Sequence, residues 1–299
     1  MSNDCNLKYP LLMVHGMGFR DRKHLCYWGR VPKRLESHGA KVFFGHQDSV
    51  GSVESNADII AKSLDEVLAQ TGAEKVNILA HSKGGLEARY LINHGYADKV
   101  ASVTTIDTPH HGSKTVDFLM KAPKWMVKTA AWGTDVWMKI LGDKNPDSYD
   151  CFDLFTTRTA EQFNIDNPAP DNIYCQSYAF KCRGSFSDPV FCITYPVVRR
   201  FDGDNDGLVS VASAKWANFK GVLTTPSYRG VSHADVVDIR RRRLTSRTAK
   251  KCFAHCAVRE VRDASRTAGA KSNFFKIFFD KSRCRKKWNI NSSGDWIGV

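Results

Sequence analysis

The first hundred residues alternate short apolar runs with segments of helical periodicity. The apolar runs are Tyr9–Val14, Lys41–Phe44, Val76–Ala80 and Val100–Ile106, and the helical segments between them are Leu25–His38, Val53–Gln70 and Lys83–His94. In the second helical segment apolar residues recur every three or four positions, with Ser52 placed to cap its start and Gly72 to end it. Strands that alternate with helices predict a parallel sheet, an α/β fold that binds ligands at the carboxyl ends of its strands.

This alternation stops at residues 114–165, which we call the cap segment. It contains three of the seven tryptophans, and Trp125, Trp132 and Val136 are spaced to share one helical face. Two interpretations fit this apolar face: an ordinary core helix, or a mobile cap that covers a site in one state only.

The strongest chemical signal is Ser82, in the sequence Ala80-His-Ser82-Lys-Gly84. An apolar strand runs into this motif and a helical pattern begins directly after it, as at the nucleophile elbow of serine hydrolases. The tight turn needs small residues two positions before and after the serine, and Ala80 and Gly84 meet that need. We predict Ser82 as a nucleophile and the amide of Lys83 as an oxyanion donor.

The serine needs a histidine base and an acid, which follow it in the order acid, then histidine. Strand-like patterns at Asn172–Phe180 and Val190–Val198 lead to an aspartate-rich turn, in which we predict Asp206 as the acid. Of the two histidines after that turn, His255 lies in an irregular basic segment. His233 is therefore the predicted base.

The same turn imitates a calcium-binding EF-hand. Asp202, Asp204, Asp206 and Gly207 match the first half of that loop, but Ser213 stands where the bidentate glutamate belongs. No helical pattern precedes the turn either, so the sequence excludes an EF-hand.

A second oxyanion donor is expected in the loop after the first strand. The run Leu11–Val14 ends in His15-Gly-Met17-Gly, where glycine permits close approach of the backbone. The amide of Met17 is the predicted donor.

Five motifs in order resemble those of bacterial triacylglycerol lipases of the α/β-hydrolase superfamily. They are H-G-M-G at 15–18, A-H-S-K-G-G at 80–85, D-T-P-H-H-G-S at 107–113, D-N-D-G-L-V at 204–209 and S-H-A-D at 232–235. The similarity extends from about Tyr9 to Arg240. It implies an α/β-hydrolase fold with a mostly parallel central sheet flanked by helices, in which the cap segment is a helical lid.

The resemblance also implies roles for individual residues. Ser82, Asp206 and His233 would form the triad, and Met17 and Lys83 would supply the oxyanion amides. The chemistry itself requires no cofactor.

Many such lipases hold a structural calcium ion near the acid and histidine turns. The resemblance implies Asp188 and Asp235 as its ligands, although both residues are equally compatible with helix caps or surface turns.

The formal charge of +13 suggests a polyanionic partner until its distribution is considered. Residues 240–299 contain 17 Lys and Arg against 4 Asp and Glu. The rest of the chain contains 27 basic and 27 acidic residues, so its net charge is zero. We therefore predict a catalytic domain at 1–240 and an atypical basic extension at 241–299. An anionic membrane or, less readily, a nucleic acid could be the partner of this extension, which contains the apolar stretch Phe274–Phe279.

The chain begins without the basic and apolar regions of a signal peptide. This predicts a cytoplasmic protein or one exported by a signal-independent route. Nine irregularly spaced cysteines favour reduced thiols, with one bridge among Cys175, Cys182 and Cys192 as the alternative.

Together these features predict a carboxylic-ester hydrolase that forms an acyl-enzyme, most simply a triacylglycerol lipase acting on lipid at a lipid–water interface. A short-chain carboxylesterase is the enzymatic alternative. The non-enzymatic alternative is a protein that binds an anionic membrane or a nucleic acid through its basic extension.

Overall fold

The computed structural model of the chain describes residues 6–18, 21, 26–225 and 229–238, and the backbone of 288–290 and 296–298. Most of the basic extension predicted at 241–299 lies outside the described residues. Two short antiparallel strands, Trp288–Ile290 and Trp296–Gly298, are its described part.

A six-stranded parallel sheet forms the centre of the described chain. Its strands are β1 (Leu11–Val14), β2 (Val42–Phe44), β3 (Val76–His81), β4 (Val100–Ile106), β5 (Tyr174–Phe180) and β6 (Asn218–Leu223). Their spatial order is β2-β1-β3-β4-β5-β6, and every neighbouring pair is parallel. The predicted α/β class and the strand at Val100–Ile106 are confirmed.

Nine α-helices connect and flank these strands in the described part of the chain. They are α1 (Val31–Glu36), α2 (Val53–Thr71), α3 (Lys83–Leu91), α4 (Lys114–Leu119), α5 (Lys124–Ile140), α6 (Ser148–Leu154), α7 (Thr157–Asp166), α8 (Thr194–Asp202) and α9 (His233–Val236). The predicted caps of α2 are confirmed, because the Ser52 hydroxyl accepts a hydrogen bond from the amide of Ser55 and Gly72 ends the helix at a φ of 66°.

Both faces of the sheet are buried, as is typical of parallel sheets. Leu11 and Met13 of β1 pack on one face with Trp28 and α1, whereas Leu12 and Val14 pack on the other with α2 and α3. This alternation follows from the two-residue period of a strand. The strands are therefore fixed on both sides, which makes the loops at their carboxyl ends a rigid platform.

The prediction of a strand at Val190–Val198 is wrong. This region forms a short 3₁₀ turn at Pro189–Phe191 and then helix α8. Its apolar, β-branched composition favours a strand, but Pro196 lies in the first turn of the helix, where a missing backbone N–H costs nothing. A helix therefore does precede the aspartate turn, and the exclusion of an EF-hand depends on the missing glutamate alone.

Candidate active site

Ser82 occupies the turn between β3 and α3 in a strained backbone conformation. Its φ is 54° and its ψ is −132°, and its amide donates to the carbonyl oxygen of Ile106 at 2.9 Å. The turn needs small neighbours, because a β-carbon at Gly84 would lie 2.4 Å from the carbonyl oxygen of His15. The side chain of Ser82 is partly exposed and so can be reached by a substrate.

The loop after β1 packs directly against this serine. A β-carbon at Gly16 would lie 2.6 Å from the β-carbon of Ser82, so the backbone of the loop can approach only at glycine. Met17 follows Gly16 in the chain and Lys83 follows Ser82, so the two predicted oxyanion residues are the chain neighbours of this contact.

Two residues that the sequence did not single out hold this loop. The side-chain amide of Gln47 donates to the carbonyl oxygen of His15 at 2.8 Å, and the hydroxyl of Ser49 accepts from the amide of Gly18 at 2.6 Å. Both are buried in the segment after β2. They hold the loop after β1 from the segment that follows the neighbouring strand β2, and no local sequence motif predicts this contact.

The predicted acid and base are hydrogen-bonded to each other. Nδ1 of His233 lies 2.6 Å from Oδ2 of Asp206, and the amide of His233 donates to the carbonyl oxygen of Asp206. Oδ1 of Asp206 accepts from the amides of Leu208 and Val209 at 2.9 and 2.8 Å. With three N–H donors and no solvent exposure, this carboxylate is fixed in position beside the imidazole.

His81 joins the base to the nucleophile turn. Its ring centroid lies 4.4 Å from that of His233, and His81 immediately precedes Ser82 in the chain. The hydroxyl of Tyr27 donates to Nδ1 of His81 at 2.7 Å. Burial, followed by the neighbouring His233, lowers the pKa of His81 well below its ordinary value, so His81 is a neutral spacer.

A second buried carboxyl group, Asp107, lies at the end of β4. Its φ is 45°, unusual for a residue other than glycine, and its Oδ1 accepts from the amide of Phe180 at 2.7 Å. Burial, followed by the charge of Asp206, raises the pKa of Asp107 well above its ordinary value. The motif D-T-P-H-H-G-S contains this residue, but no pattern in the sequence indicates its role.

The two residues named for calcium, Asp188 and Asp235, converge on Ser232. Oδ2 of Asp188 accepts from the hydroxyl of Ser232 at 2.5 Å, and Oδ2 of Asp235 accepts from its amide at 3.3 Å. Asp188 also accepts from the amide of Val190. Two carboxylates thus meet beside the residue that precedes His233, which is a donor set of the kind that calcium uses.

The cap segment forms helices α4 to α7, and its tryptophans face outward. Trp125 is 70% exposed, Trp132 68% and Trp137 60%. The prediction of an ordinary core helix is therefore wrong for this face. The opposite side of α5 is anchored by Met138, which packs with Val50 and Cys151 in a cluster that Met17 also contacts.

Cys175, Cys182 and Cys192 are free thiols in the structure. The alternative of a bridge among these three is therefore wrong for the structure. Among the described helices, none has the length and apolar character needed to cross a membrane.

Comparison with known proteins gives a consistent family. A family model described as the alpha/beta hydrolase fold matches residues 9–164. Triacylglycerol lipase 2 of Saccharomyces cerevisiae is 31% identical over 222 residues, which are 71% of this chain and 62% of the yeast protein. The triacylglycerol lipase of Pseudarthrobacter phenanthrenivorans is 41% identical over 123 residues, 39% of this chain and 38% of the relative. The chain thus spans less than two thirds of the length of these relatives.

Solved structures show the same fold. Staphylococcus hyicus lipase superimposes with a TM-score of 0.66 at 17% identity, covering 88% of this chain and 97% of that chain. A metagenomic carboxyl esterase superimposes with a TM-score of 0.61 at 15% identity, covering 87% and 74%. At these identities the likeness is one of architecture.

Proposed function

The chain belongs to the α/β-hydrolase fold family, and from this premise we propose that it is a carboxylic-ester hydrolase, specifically a triacylglycerol lipase. Ser82, His233 and Asp206 form its catalytic triad. The observation that carries this proposal is the buried, hydrogen-bonded pair of His233 and Asp206, whose imidazole packs against His81, the residue before Ser82 in a strained turn at the carboxyl edge of the sheet.

The reaction begins when His233 takes the proton of Ser82 through Nε2. The serine oxygen bonds to the ester carbonyl carbon, and the amides of Met17 and Lys83 donate to the oxyanion that forms. The tetrahedral intermediate collapses as His233 returns the proton to the leaving alcohol, which leaves an acyl-enzyme. Water, deprotonated by His233, then releases the fatty acid and restores Ser82.

The exposed apolar surface supports a lipid substrate. Besides the three tryptophans of α5, the segment before and within α8 exposes Phe186 (89%) and Ile193 (76%), and nearby Phe191 packs edge-on against His233. Large apolar side chains are thus exposed both on the cap segment and on the stretch before α8, and the second of these contacts His233 through Phe191. Exposed patches of this kind mark interaction surfaces, and an oil–water interface fits them.

Hydrolysis of tributyrin and triolein, below and above the solubility limit, tests the proposal. We expect activity that rises when an emulsion forms, and a Trp132→Ser, Trp137→Ser double variant that loses about ten-fold or more on triolein emulsion while retaining activity on soluble nitrophenyl acetate. The matched control, Trp132→Phe, Trp137→Phe, preserves the apolar surface and should retain both activities.

Other outcomes are equally informative. Activity on soluble esters with no response to the emulsion would identify a short-chain carboxylesterase instead of a lipase. A purified, folded chain that hydrolyses neither class of ester would contradict the proposal as a whole.

We also propose a structural calcium ion at Asp188 and Asp235. Calcium would neutralise the carboxylates of Asp188 and Asp235 beside Ser232 and thereby stabilise the loop that carries His233, while the chemistry would proceed without it. Millimolar calcium should raise the melting temperature by about 3–6 °C, and a chelator should reverse the increase. The variant Asp188→Asn, Asp235→Asn should melt at the same temperature with and without calcium. If calcium leaves the melting temperature of the wild-type chain unchanged, the proposed site is wrong.

A further inference from the structure

We propose that Asp107 is a second acid of the catalytic centre: a neutral carboxyl group that donates a hydrogen bond to Asp206 and orients His233 in its place when Asp206 is removed. Asp107 is thus a positioning residue for the hydrolysis, and the inference rests on the proposed function.

The fold places Asp107 close to the base. It directly follows β4, which pairs with β3, the strand that leads into Ser82, and Asp107 is 1% exposed. A carboxyl oxygen of Asp107 and one ring nitrogen each of His81 and His233 lie within 4.8 Å of one another. The carboxyl group of Asp107 therefore lies beside the imidazole that Asp206 orients.

The distribution of donors shows which of the two carboxyl groups carries the proton. Asp206 accepts three N–H bonds, whereas Asp107 receives one, at Oδ1 from Phe180. No group among the described residues donates to its Oδ2. A buried carboxylate with one donor is costly, and burial, followed by the neighbouring Asp206, raises the pKa of Asp107. The proton therefore belongs on Asp107, and the hydrogen bond between the two carboxyl groups runs from Asp107 to Asp206.

The other titratable groups at this point are neutral. Tyr27 accepts a backbone hydrogen bond from Gly16, and its hydroxyl donates to Nδ1 of His81, which leaves the proton of that imidazole on Nε2. Tyr27, His81 and Asp107 thus add no charge beside Asp206. The hydrogen bond from Asp107 holds the Asp206 carboxylate in place, and loss of Asp206 would leave Asp107 free to ionise as the counter-charge to protonated His233.

The variant Asp107→Asn separates the hydrogen bond to Asp206 from the ability of residue 107 to ionise. It can donate to Asp206 and accept from Phe180 as the protonated acid does, but it cannot ionise. We expect Asp107→Asn to lower kcat by about three-fold, because the amide donates a weaker hydrogen bond to Asp206, and Asp206→Ala to lower it by about a hundred-fold. The double variant should lose about 10⁴-fold, the loss typical of a triad without its acid. KM should stay near the wild-type value in each, because the change lies in the orientation of the base.

The matched control combines Asp206→Ala with Asp65→Ala, which removes a half-exposed carboxylate on α2 that pairs with Lys99. This double variant should lose no more kcat than Asp206→Ala alone. Urea unfolding of each variant separates loss of orientation from loss of folding. Equal kcat values for Asp206→Ala and its double variant with Asp107→Asn would overturn the proposal, as would a loss in Asp107→Asn alone as large as that in Asp206→Ala. Wild-type hydrolysis, measured in parallel, reports separately on the proposed function.

Discussion

Replacing Ser82 with alanine is expected to lower kcat for nitrophenyl acyl esters by about 10⁴-fold or more, with little change in KM. Removal of a triad nucleophile costs rates of this order, and the activity that remains comes from the oxyanion donors and from binding. The substrate pocket keeps its shape because alanine removes one oxygen atom. Steady-state kinetics of the wild-type and variant chains measure the effect.

Covalent labelling provides the complementary measurement. A serine-directed phosphonate should modify one residue of the wild-type chain, and peptide mapping should place it at Ser82. Replacing His233 with alanine should slow the labelling strongly, because the hydroxyl then lacks its base. Ser113→Ala, which removes a serine that caps α4, is the matched control and should label like the wild type. Full activity in Ser82→Ala, or a label at another serine, would contradict the assignment.

The parts of the site that could be predicted from the sequence are those encoded locally. The strand, the small residues and the helix around Ser82 all lie within about fifteen positions, and their pattern fixes the turn without knowledge of the rest of the chain. The order of acid and histidine then singled out Asp206 and His233, which the structure brings to 2.6 Å.

The parts that escaped prediction depend on contacts between distant segments. Gln47 and Ser49 brace the loop after β1 only because β1 and β2 are neighbours in the sheet. Asp107 and Asp206 are 99 positions apart in the sequence, and they interact because β4 and β5 are neighbours in the sheet. Helix α8 was mistaken for a strand because its composition is β-branched, and local propensity gives way to tertiary context.

Lys83 and Glu87 form an ion pair beneath the nucleophile turn, one helical turn apart on α3. Both side chains are almost fully buried, and Nζ of Lys83 also donates to the carbonyl oxygen of Gly51 at 2.7 Å. The carboxylate of Glu87 accepts in addition from the side-chain amide of Asn56 at 2.6 Å. Burial opposes the charge on Lys83, but Glu87 and its hydrogen bond raise the pKa of Lys83 above its ordinary value.

Replacing Lys83 alone with methionine should lower the free energy of unfolding by about 3–5 kcal/mol, because Glu87 is left buried without its partner. Burial already raises the pKa of Glu87, and loss of Lys83 raises it further. The unfolded chain releases this proton at lower pH, so stability falls as the pH rises from the unfolded to the folded pKa. The deficit should therefore be larger at pH 8 than at pH 5 in urea unfolding.

The double variant Lys83→Met, Glu87→Leu removes both charges and should recover most of that stability. It should also keep kcat within about ten-fold of the wild type, because the backbone amide of residue 83, and not its side chain, donates to the oxyanion. As a matched control, Lys99→Met breaks the half-exposed pair with Asp65 and should cost about 1 kcal/mol or less. If the single and double variants are equally unstable, the buried pair is not the origin of the loss. If the double variant folds but is inactive, the Lys83 side chain itself takes part in catalysis.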